Sequence, residues 1–248
     1  MQASFAPMIA VDVGHTRIAA AAYRAPDAPA ESLRHIDTRT GDPAALFVGF
    51  DPQSRANIAA SAQAALPAVL SAATHYFTSE PNVLRAAGFR TAPDVAPGVG
   101  IDRLLNVTAA HRQTGGPVLS VDAGTAITFD IGDGAGVFIG GLIVPGPQAA
   151  AEGLRARAPH LPAAAFGADA PPFGRNTADA LAAGLSVGFC ALIEGTIVQL
   201  RAILPPQVRV FMTGGLTEAL RGRLTQVDVF QEDLTLRGIA AYESSFRA

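Results

Sequence analysis

The chain has 248 residues, of which 49% are hydrophobic and 16% are charged, and its formal net charge is -3. This composition is typical of a globular protein that is large enough for two small domains, and it excludes a mostly disordered chain. Nucleic-acid-binding surfaces usually carry a basic excess, which this chain lacks, so we expect no nucleic-acid partner.

All 18 residues in the combined lysine and arginine count are arginine, and the chain contains no lysine. Schiff-base enzymes, phosphate-binding loops of the GxxxxGK[ST] type and protein kinases all depend on a lysine. The composition therefore excludes these enzyme classes.

Cysteine and histidine usage gives little sign of a metal cluster. Cys190 is the single cysteine, which excludes an intramolecular disulfide, and its apolar neighbours predict a buried structural thiol. The five histidines are scattered without helical ligand spacing, so we expect no zinc site.

The N-terminus lacks a basic leader, and we find no apolar run of membrane-spanning length. We expect a soluble, cytoplasmic protein with no membrane partner.

The first half of the chain begins with a strand, a turn and a second strand. Met8–Val11 leads into the turn Asp12–Thr16, and Arg17–Tyr23 resumes an apolar run. Further elements are predicted from apolar spacing and from turn residues. These are a short helix to Phe47, a strand at 47–50, a helix at 57–70, a strand at 75–78, a Pro- and Gly-rich loop at 91–100 and a helix at 101–112.

The second half repeats this alternation of strands and helices, which predicts an α/β architecture. We expect one half at 1–115 and the other at 116–248. The predicted strands are 118–121, 126–131, 137–144, 208–212 and 227–230, and the predicted helices are 147–157, 177–204, 215–220 and 236–246, with a loop at 159–175.

The two halves share a short motif that indicates an internal duplication. Val11-Asp12-Val13-Gly14 matches Val121-Asp122-Ala123-Gly124 at an offset of 110 residues, and a threonine follows each glycine closely. Facing each other across a cleft, two such turns would present carboxylates, N–H groups and hydroxyls to a polyphosphate and its metal ion. Each turn alone could equally be an ordinary hairpin turn, since Asp and Gly are common turn residues.

A third motif, Gly100-Ile101-Asp102-Arg103, lies where the glycine-rich loop enters a predicted helix. Asp102 could cap that helix. Alternatively, Asp102 and Arg103, with Asn106 one turn further on, could hold a small anionic substrate and accept a proton from it.

Together the motifs resemble those of the type III pantothenate kinases, in order and spacing, over residues 8–215. The resemblance implies an α/β fold of two duplicated ribonuclease-H-like halves, as in actin, sugar kinases and Hsp70, with ATP in the cleft between them and a homodimer. The motifs are Asp12–Thr16, Gly100–Asn106, Asp122–Thr128, Gly140–Gly146, Asn176–Ala180 and Thr213–Gly215.

The resemblance also implies an activity, the transfer of the γ-phosphoryl group of ATP to the primary hydroxyl of pantothenate, the first step toward coenzyme A. It makes Asp102 the general base and Arg103 a pantothenate ligand, together with Gly100, Ile101 and Thr177. Asp122 would bind a monovalent cation, K⁺ or NH₄⁺, and Mg²⁺ would accompany the phosphates near Asp12. The implied ATP contacts are Asp12, Val13, Gly14, His15, Thr16, Arg17, Ile18, Ala19 and Thr125.

Two positions depart from the family pattern. His15 stands where the first motif of the family usually has Asn. Phe89 is the best match for a Tyr that usually precedes the GxDR loop and contacts pantothenate.

Two other functions are compatible with this fold. A non-catalytic relative could act as an accessory factor in transcriptional regulation, and pantothenate phosphorylation with and without potassium would distinguish it from a kinase. Another enzyme of the superfamily, such as a sugar kinase or an exopolyphosphatase-type phosphatase, would instead prefer other substrates.

Overall fold

The computed structural model describes residues 7–167 and 169–245, with side chains described as far as Tyr242. The chain forms two compact units. Unit 1 comprises the described residues of Met1–Gln113 and Asp233–Ala248, and unit 2 is Thr114–Glu232.

Unit 1 contains a five-stranded sheet and four helices. Its strands are β1 (Met8–Val13), β2 (Arg17–Tyr23), β3 (Glu31–Asp37), β4 (Arg55–Ala60) and β5 (Asn82–Val83), and its helices are α1 (Pro43–Phe47), α2 (Leu66–Tyr76), α3 (Ile101–Thr114) and α7 (Leu234–Ser245). The last residue of α3, Thr114, is already counted in unit 2.

Unit 2 contains a second five-stranded sheet and three helices. Its strands are β6 (Val118–Ala123), β7 (Ala126–Gly132), β8 (Phe138–Pro145), β9 (Arg209–Thr213) and β10 (Val229–Phe230), and its helices are α4 (Pro147–Arg157), α5 (Thr177–Arg201) and α6 (Thr217–Leu220).

The two sheets have the same topology. The strand order is β3-β2-β1-β4-β5 in unit 1 and β8-β7-β6-β9-β10 in unit 2. In each sheet the first three strands of the unit pair antiparallel and the remaining two join in parallel. This match extends the four-residue sequence repeat to an entire five-stranded sheet.

The sheet of unit 1 has an apolar core on each face, because successive residues of a strand point to opposite sides. Ile9, Val11 and Val13 of β1 pack in the core that includes α1 and α2. Met8 and Ala10 pack in the other core, together with residues of α3 and α7.

The sheet of unit 2 packs one face against α5 and the segment that follows β9. Leu119, Val121 and Ala123 of β6 share this core with Ile193 and Ile197 of α5. Helix α5 is also long and apolar enough to cross a membrane by length and composition alone, contrary to the expectation that no segment reaches that length. Cys190 on this helix is half-buried, and partial burial raises the pKa of its thiol.

Three predicted elements near α2 are wrong. The predicted helix at 57–70 is the strand β4, a turn and the start of α2, because alanines that favour a helix here lie in a strand paired with β1. The predicted strand at 47–50 is the end of α1 and a turn in which Gly49 has a φ of +88°. The predicted strand at 75–78 overlaps the end of α2.

The C-terminal helix α7 belongs to unit 1, although it follows the whole of unit 2 in sequence. It packs against β1, β2 and β4, and Leu236, Ile239 and Ala240 enter the core on that face of the sheet. The compact units therefore differ from the predicted halves at 1–115 and 116–248 in where the last helix lies. Phe246, the predicted last residue of this helix, lies outside the described residues.

Candidate functional site

The acidic turn of unit 1 joins β1 to β2 and begins at Asp12, which is half-buried. Val13 pairs with Ile18, and the N–H of Gly14 donates to the carbonyl of Arg17 at 3.0 Å, which closes the turn. A Cβ at Gly14 would lie 2.8 Å from that carbonyl oxygen, so a side chain is excluded there. His15 and Thr16 remain exposed at the tip.

A neighbouring segment fixes this turn from outside. Thr38, just after β3, makes two hydrogen bonds to the turn. Its hydroxyl donates to the carbonyl of Gly14 at 2.8 Å, and its backbone N–H donates to the carbonyl of Thr16 at 3.0 Å. The side chains of Val13, Ile18 and Ala19, all predicted ATP contacts, are buried in the two cores of unit 1. These three residues could therefore contact a ligand only through their backbone.

Asp102 lies in the first turn of α3 and is half-buried. Its Oδ1 accepts a hydrogen bond from the N–H of Arg103 at 3.0 Å, so the carboxylate lies at the positive end of the helix. A Cβ at Gly100 would overlap this same oxygen, so a side chain there would displace the Asp102 carboxylate. Asp102 is therefore the second residue of the helix rather than the residue before it, and its carboxylate is not fully buried.

The Asp12 turn and α3 lie on the same face of the sheet in unit 1. Ala10 and Ala19 belong to the core that also contains Ile101 and Leu105 of α3. By strand alternation Asp12 points to the face of Ala10, and it pairs directly with Ala19. Unit 1 therefore brings a strand-end carboxylate and the GxDR helix start to one side of its sheet.

The predicted substrate contacts near α3 differ in their exposure. Ile101 is buried in the core, so its side chain packs rather than faces solvent, while Arg103 is half-buried. Phe89 is half-buried and its ring lies 5.5 Å, centroid to centroid, from that of Tyr242 on α7. The contact between Phe89 and Tyr242 was not expected from the sequence.

The corresponding turn of unit 2 joins β6 to β7 and begins at Asp122, also half-buried. The N–H of Gly124 donates to the carbonyl of Ala126 at 3.0 Å, and Thr125 is exposed at the tip. The N–H of Gly146, at the start of α4, donates to the carbonyl of Thr125 at 2.9 Å. A Cβ on Gly146 would overlap the carbonyl of Gly124, so the two segments approach as closely as glycine allows.

Gly214 packs against the other side of this turn. It has a φ of +93°, and a Cβ there would overlap the Oδ1 of Asp122 and lie 2.6 Å from the carbonyl oxygen of Ala123. The N–H of Leu216 donates to that same carbonyl at 3.0 Å. Unit 2 therefore brings together three of the predicted motifs, those at Asp122–Thr128, Gly140–Gly146 and Thr213–Gly215.

Polar side chains lie on the face of β6 opposite its apolar core, and two of them, Ser120 and Asp130, fall outside the motifs that the sequence singled out. Asp122 pairs with Thr128, and Ser120 pairs with Asp130, which is fully buried. The hydroxyl of Thr128 donates to Oδ2 of Asp130 at 2.7 Å. The sequence shows Thr128 and Asp130 two positions apart in a predicted strand, which places both on one face of the sheet. Only the strand register shows that this face also carries Asp122.

Thr177 is the first residue of the long helix α5 and is exposed in unit 2. Asn176 caps the helix by accepting the N–H of Asp179 at 2.9 Å, and its amide donates to the Asp179 carboxylate at 2.8 Å. The predicted site residues thus divide between the units, with Thr125, Asp122 and Thr177 in unit 2 and the others in unit 1. The described residues include no group of three or more His, Cys, Asp and Glu that could hold a metal ion.

Comparison with solved structures bears on the fold. A protein of Campylobacter jejuni described as a transcriptional activator of the Baf family is 19% identical, with a TM-score of 0.57, and the match covers 96% of this chain and 98% of that one. An activator of 2-hydroxyisocaproyl-CoA dehydratase from Clostridium difficile, solved with bound ADPNP, is 12% identical with a TM-score of 0.54 and covers 98% of both chains. The predicted α/β fold of the actin, sugar kinase and Hsp70 type is confirmed.

Comparison with curated sequences bears on the family. The type III pantothenate kinase of Acidiphilium cryptum is 35% identical over 167 residues, which cover 66% of this chain and 63% of that relative. The type III pantothenate kinase of Paramagnetospirillum magneticum is 32% identical over 246 residues, which cover 94% of this chain and 95% of that relative. The model of the type III pantothenate kinase family matches residues 8–199. The chain belongs to the type III pantothenate kinase family.

Proposed function

We propose that the chain transfers the γ-phosphoryl group of ATP to the primary hydroxyl of pantothenate and so forms 4'-phosphopantothenate. One observation supports this above others. In this chain, which belongs to the family, Asp102 and Arg103 lie in the first turn of α3, on the same sheet face as the Asp12 turn. Phosphoryl transfer asks a protein mainly to align the reacting oxygens and to neutralise charge, and these groups are suited to both tasks.

Unit 1 supplies the base and the main substrate contacts in this proposal. Asp102 accepts the proton of the attacking hydroxyl, while the guanidinium of Arg103 pairs with the pantothenate carboxylate. Gly100, Ile101 and Phe89 complete the pantothenate contacts of this unit, Ile101 through its backbone because its side chain is buried. The Asp12 turn, with His15 and Thr16 exposed at its tip, contacts the phosphates of ATP.

Unit 2 supplies a second ATP contact, a further pantothenate contact and a cation ligand. Thr125 contacts ATP from the exposed tip of the β6–β7 turn, and Thr177 contacts pantothenate from the exposed start of α5. Asp122 binds a monovalent cation, K⁺ or NH₄⁺. The half-buried carboxylate and the carbonyl of Ala123 support this assignment, because both are oxygen donors that lie close to Gly214.

In this proposal Mg²⁺ binds together with ATP. The half-buried carboxylate of Asp12 fits a hydrated Mg²⁺ that takes most of its ligands from phosphate and water, as Mg²⁺ usually does. When bound, the ion neutralises charge on the phosphates. The chain's own residues hold the turn and the attacking hydroxyl in place.

The direct test is a coupled assay of ADP release from ATP with pantothenate as acceptor, with and without K⁺. We expect turnover that requires pantothenate and increases with K⁺ or NH₄⁺. Absence of turnover under any cation would favour the regulatory alternative, and faster phosphorylation of another hydroxyl compound would favour a different kinase of the superfamily.

We also propose that the chain forms a homodimer in the cytoplasm. Unit 2 exposes large apolar side chains on the edge strand β8 and on α4 and α5, which would be costly to leave in water. These are Ile139, Leu142, Ile143, Leu154, Val187 and Val198.

Light scattering after size exclusion should show a dimer, and Ile143→Arg should convert it to a monomer. The control Leu33→Arg, at an exposed position of unit 1, should leave the dimer intact. Fractionation of cells that express the chain tests the location.

A further inference from the structure

The C-terminal helix α7 lies outside residues 8–199, which the family model matches, and has no part in the function proposed above. It nevertheless contacts both elements of unit 1 that carry the proposed substrate residues. Its contacts are with α3, which carries Asp102 and Arg103, and with Phe89 in the loop before α3.

The first contact is a buried hydrogen bond between α7 and α3. The hydroxyl of Thr235 donates to the amide oxygen of Asn106 at 2.8 Å, and both side chains are buried. Breaking a hydrogen bond between two buried side chains is unfavourable, because water does not replace the lost bond. This bond therefore restricts how α3 can shift along α7. Asn106 lies one helical turn beyond Asp102.

The second contact is a close approach of the two backbones. A Cβ on Gly238 would lie 2.6 Å from the carbonyl oxygen of Leu105 and 2.9 Å from its Cβ. Glycine in the middle of a helix usually costs about 1 kcal/mol relative to alanine. The absence of a side chain here allows α7 to pack directly on the first turns of α3.

The third contact is aromatic, between Tyr242 and Phe89. The N-terminal end of α7 is fixed independently. The hydroxyl of Tyr23 on β2 donates to Asp233 at 3.2 Å, and Asp233 forms an ion pair with Arg237 at 3.0 Å. Burial and the Asp233 carboxylate both raise the pKa of Tyr23, which keeps this phenol protonated as a donor. Helix α7 is therefore tied to the sheet at one end and to the proposed substrate loop at the other.

We propose that α7 positions the proposed base, and that Thr235 and Gly238 are positioning residues for Asp102. This inference rests on the proposed function, since it gives Asp102 its task. Geometry at a phosphoryl-transfer site is demanding, and a displacement of about 1 Å can cost on the order of 100-fold in rate. A small shift of α3 should therefore lower kcat and leave binding of ATP at the Asp12 turn unchanged.

The test compares Thr235→Val, which keeps the shape and removes the hydroxyl, with Thr235→Ser, which restores it. We expect Thr235→Val to lower kcat about tenfold with an unchanged KM for ATP, and Thr235→Ser to recover most of the loss. Thr108→Val is the matched control, because its hydroxyl donates to a carbonyl within its own helix, that of Leu104, at 2.8 Å. Gly238→Ala should lower kcat in the same way. Wild-type kcat in Thr235→Val, or equal losses in Thr235→Val and Thr108→Val, would overturn the proposal.

Hydrogen exchange of the unaltered protein tests the same claim without turnover. If α7 holds α3, the amides of 104–107 and 238–241 should exchange at rates that agree within about tenfold, because both helices open together. Exchange of the α3 amides that is much slower than that of the α7 amides would overturn the proposal. Because this experiment uses the unaltered protein, its result does not depend on whether the variants fold. Failure of the proposed function has a different signature, which is a wild-type protein that does not phosphorylate pantothenate.

Discussion

The two units have the same sheet but hold their acidic turns in different ways. In unit 1 the paired residues Val13 and Ile18 enclose four residues, and Thr38 fixes the turn from outside. In unit 2 the paired residues Ala123 and Ile127 enclose three, and glycine backbones pack against the turn from two sides. Both turns expose side chains at the tip, but only the second has glycine backbones packed around its carboxylate.

The sheet faces that carry the two aspartates differ as well. Ala10, Ala19 and Ala21 line this face in unit 1 and pack against α3 and α7. The register places Ser120, Thr128 and Asp130 at the matching positions of unit 2. Small apolar residues thus admit the helix that carries the proposed base, while the matching face of the second sheet is polar. The duplicated topology therefore supports two different roles, with Asp102 in unit 1 and a proposed cation site in unit 2.

The largest effect should come from removing the base that distinguishes unit 1. Asp102→Asn keeps the size of the side chain but cannot accept a proton, so we expect kcat to fall by about 10² to 10⁴ with little change in ATP or pantothenate binding. Steady-state kinetics and calorimetric titration measure the two quantities. Asp94→Asn, in the exposed loop before α3, serves as the control. Turnover equal to wild type in Asp102→Asn would remove Asp102 from the base role.

The next effect tests the crowded turn of unit 2. Gly214→Ala introduces a Cβ that overlaps Asp122, so the turn must move, and we expect KM for ATP to rise about tenfold or more. Gly222→Ala is a matched control, since Gly222 also has a positive φ, +76°, but its Cβ would meet nothing within 4 Å. Both changes should cost about 1 to 3 kcal/mol of stability through backbone strain.

If Gly222→Ala raises KM as much as Gly214→Ala does, the effect is one of general destabilisation. The crowding around Asp122 would then have no special part in nucleotide binding.

The sequence predicts the two turns and the start of α3 because these features are local. Asp12, Asp122 and Asp102 each follow or precede a glycine within a short segment, and their positions depend on that segment alone. The strand β4 could not be predicted, since its alanine-rich sequence favours a helix and only pairing with β1 makes it a strand. Thr128 and Asp130 depend on register, and the contact of Thr235 with Asn106 joins residues far apart in sequence.

A smaller effect should separate the roles of the two turn aspartates. Asp122→Asn removes a negative charge from the proposed cation site, and we expect the K⁺ concentration for half-maximal activation to rise about tenfold. Asp12→Asn should raise KM for MgATP and leave the K⁺ response as in wild type. Activity measured across a K⁺ series distinguishes the two variants. A wild-type K⁺ response in Asp122→Asn would move the cation elsewhere.

The smallest effect concerns the segment that fixes the turn of unit 1. Asp37 accepts hydrogen bonds from the N–H groups of Arg39 and Thr40 at 2.8 and 2.9 Å, and these bonds hold the pKa of its carboxyl below the ordinary value of 3.8. Because the folded-state pKa is lowered, the stabilisation is present above the ordinary value and disappears as the pH falls through the folded pKa. Asp37→Asn should therefore lower Tm by about 1 to 2 °C at neutral pH, and the difference should shrink as the pH falls below the ordinary value and vanish below the lowered pKa. Thermal unfolding of both proteins between pH 7 and pH 3 measures this, with Asp94→Asn expected to match wild type throughout. A difference that persists unchanged at the lowest pH would show that the charge of Asp37 does not stabilise the segment that holds Thr38 against the Asp12 turn.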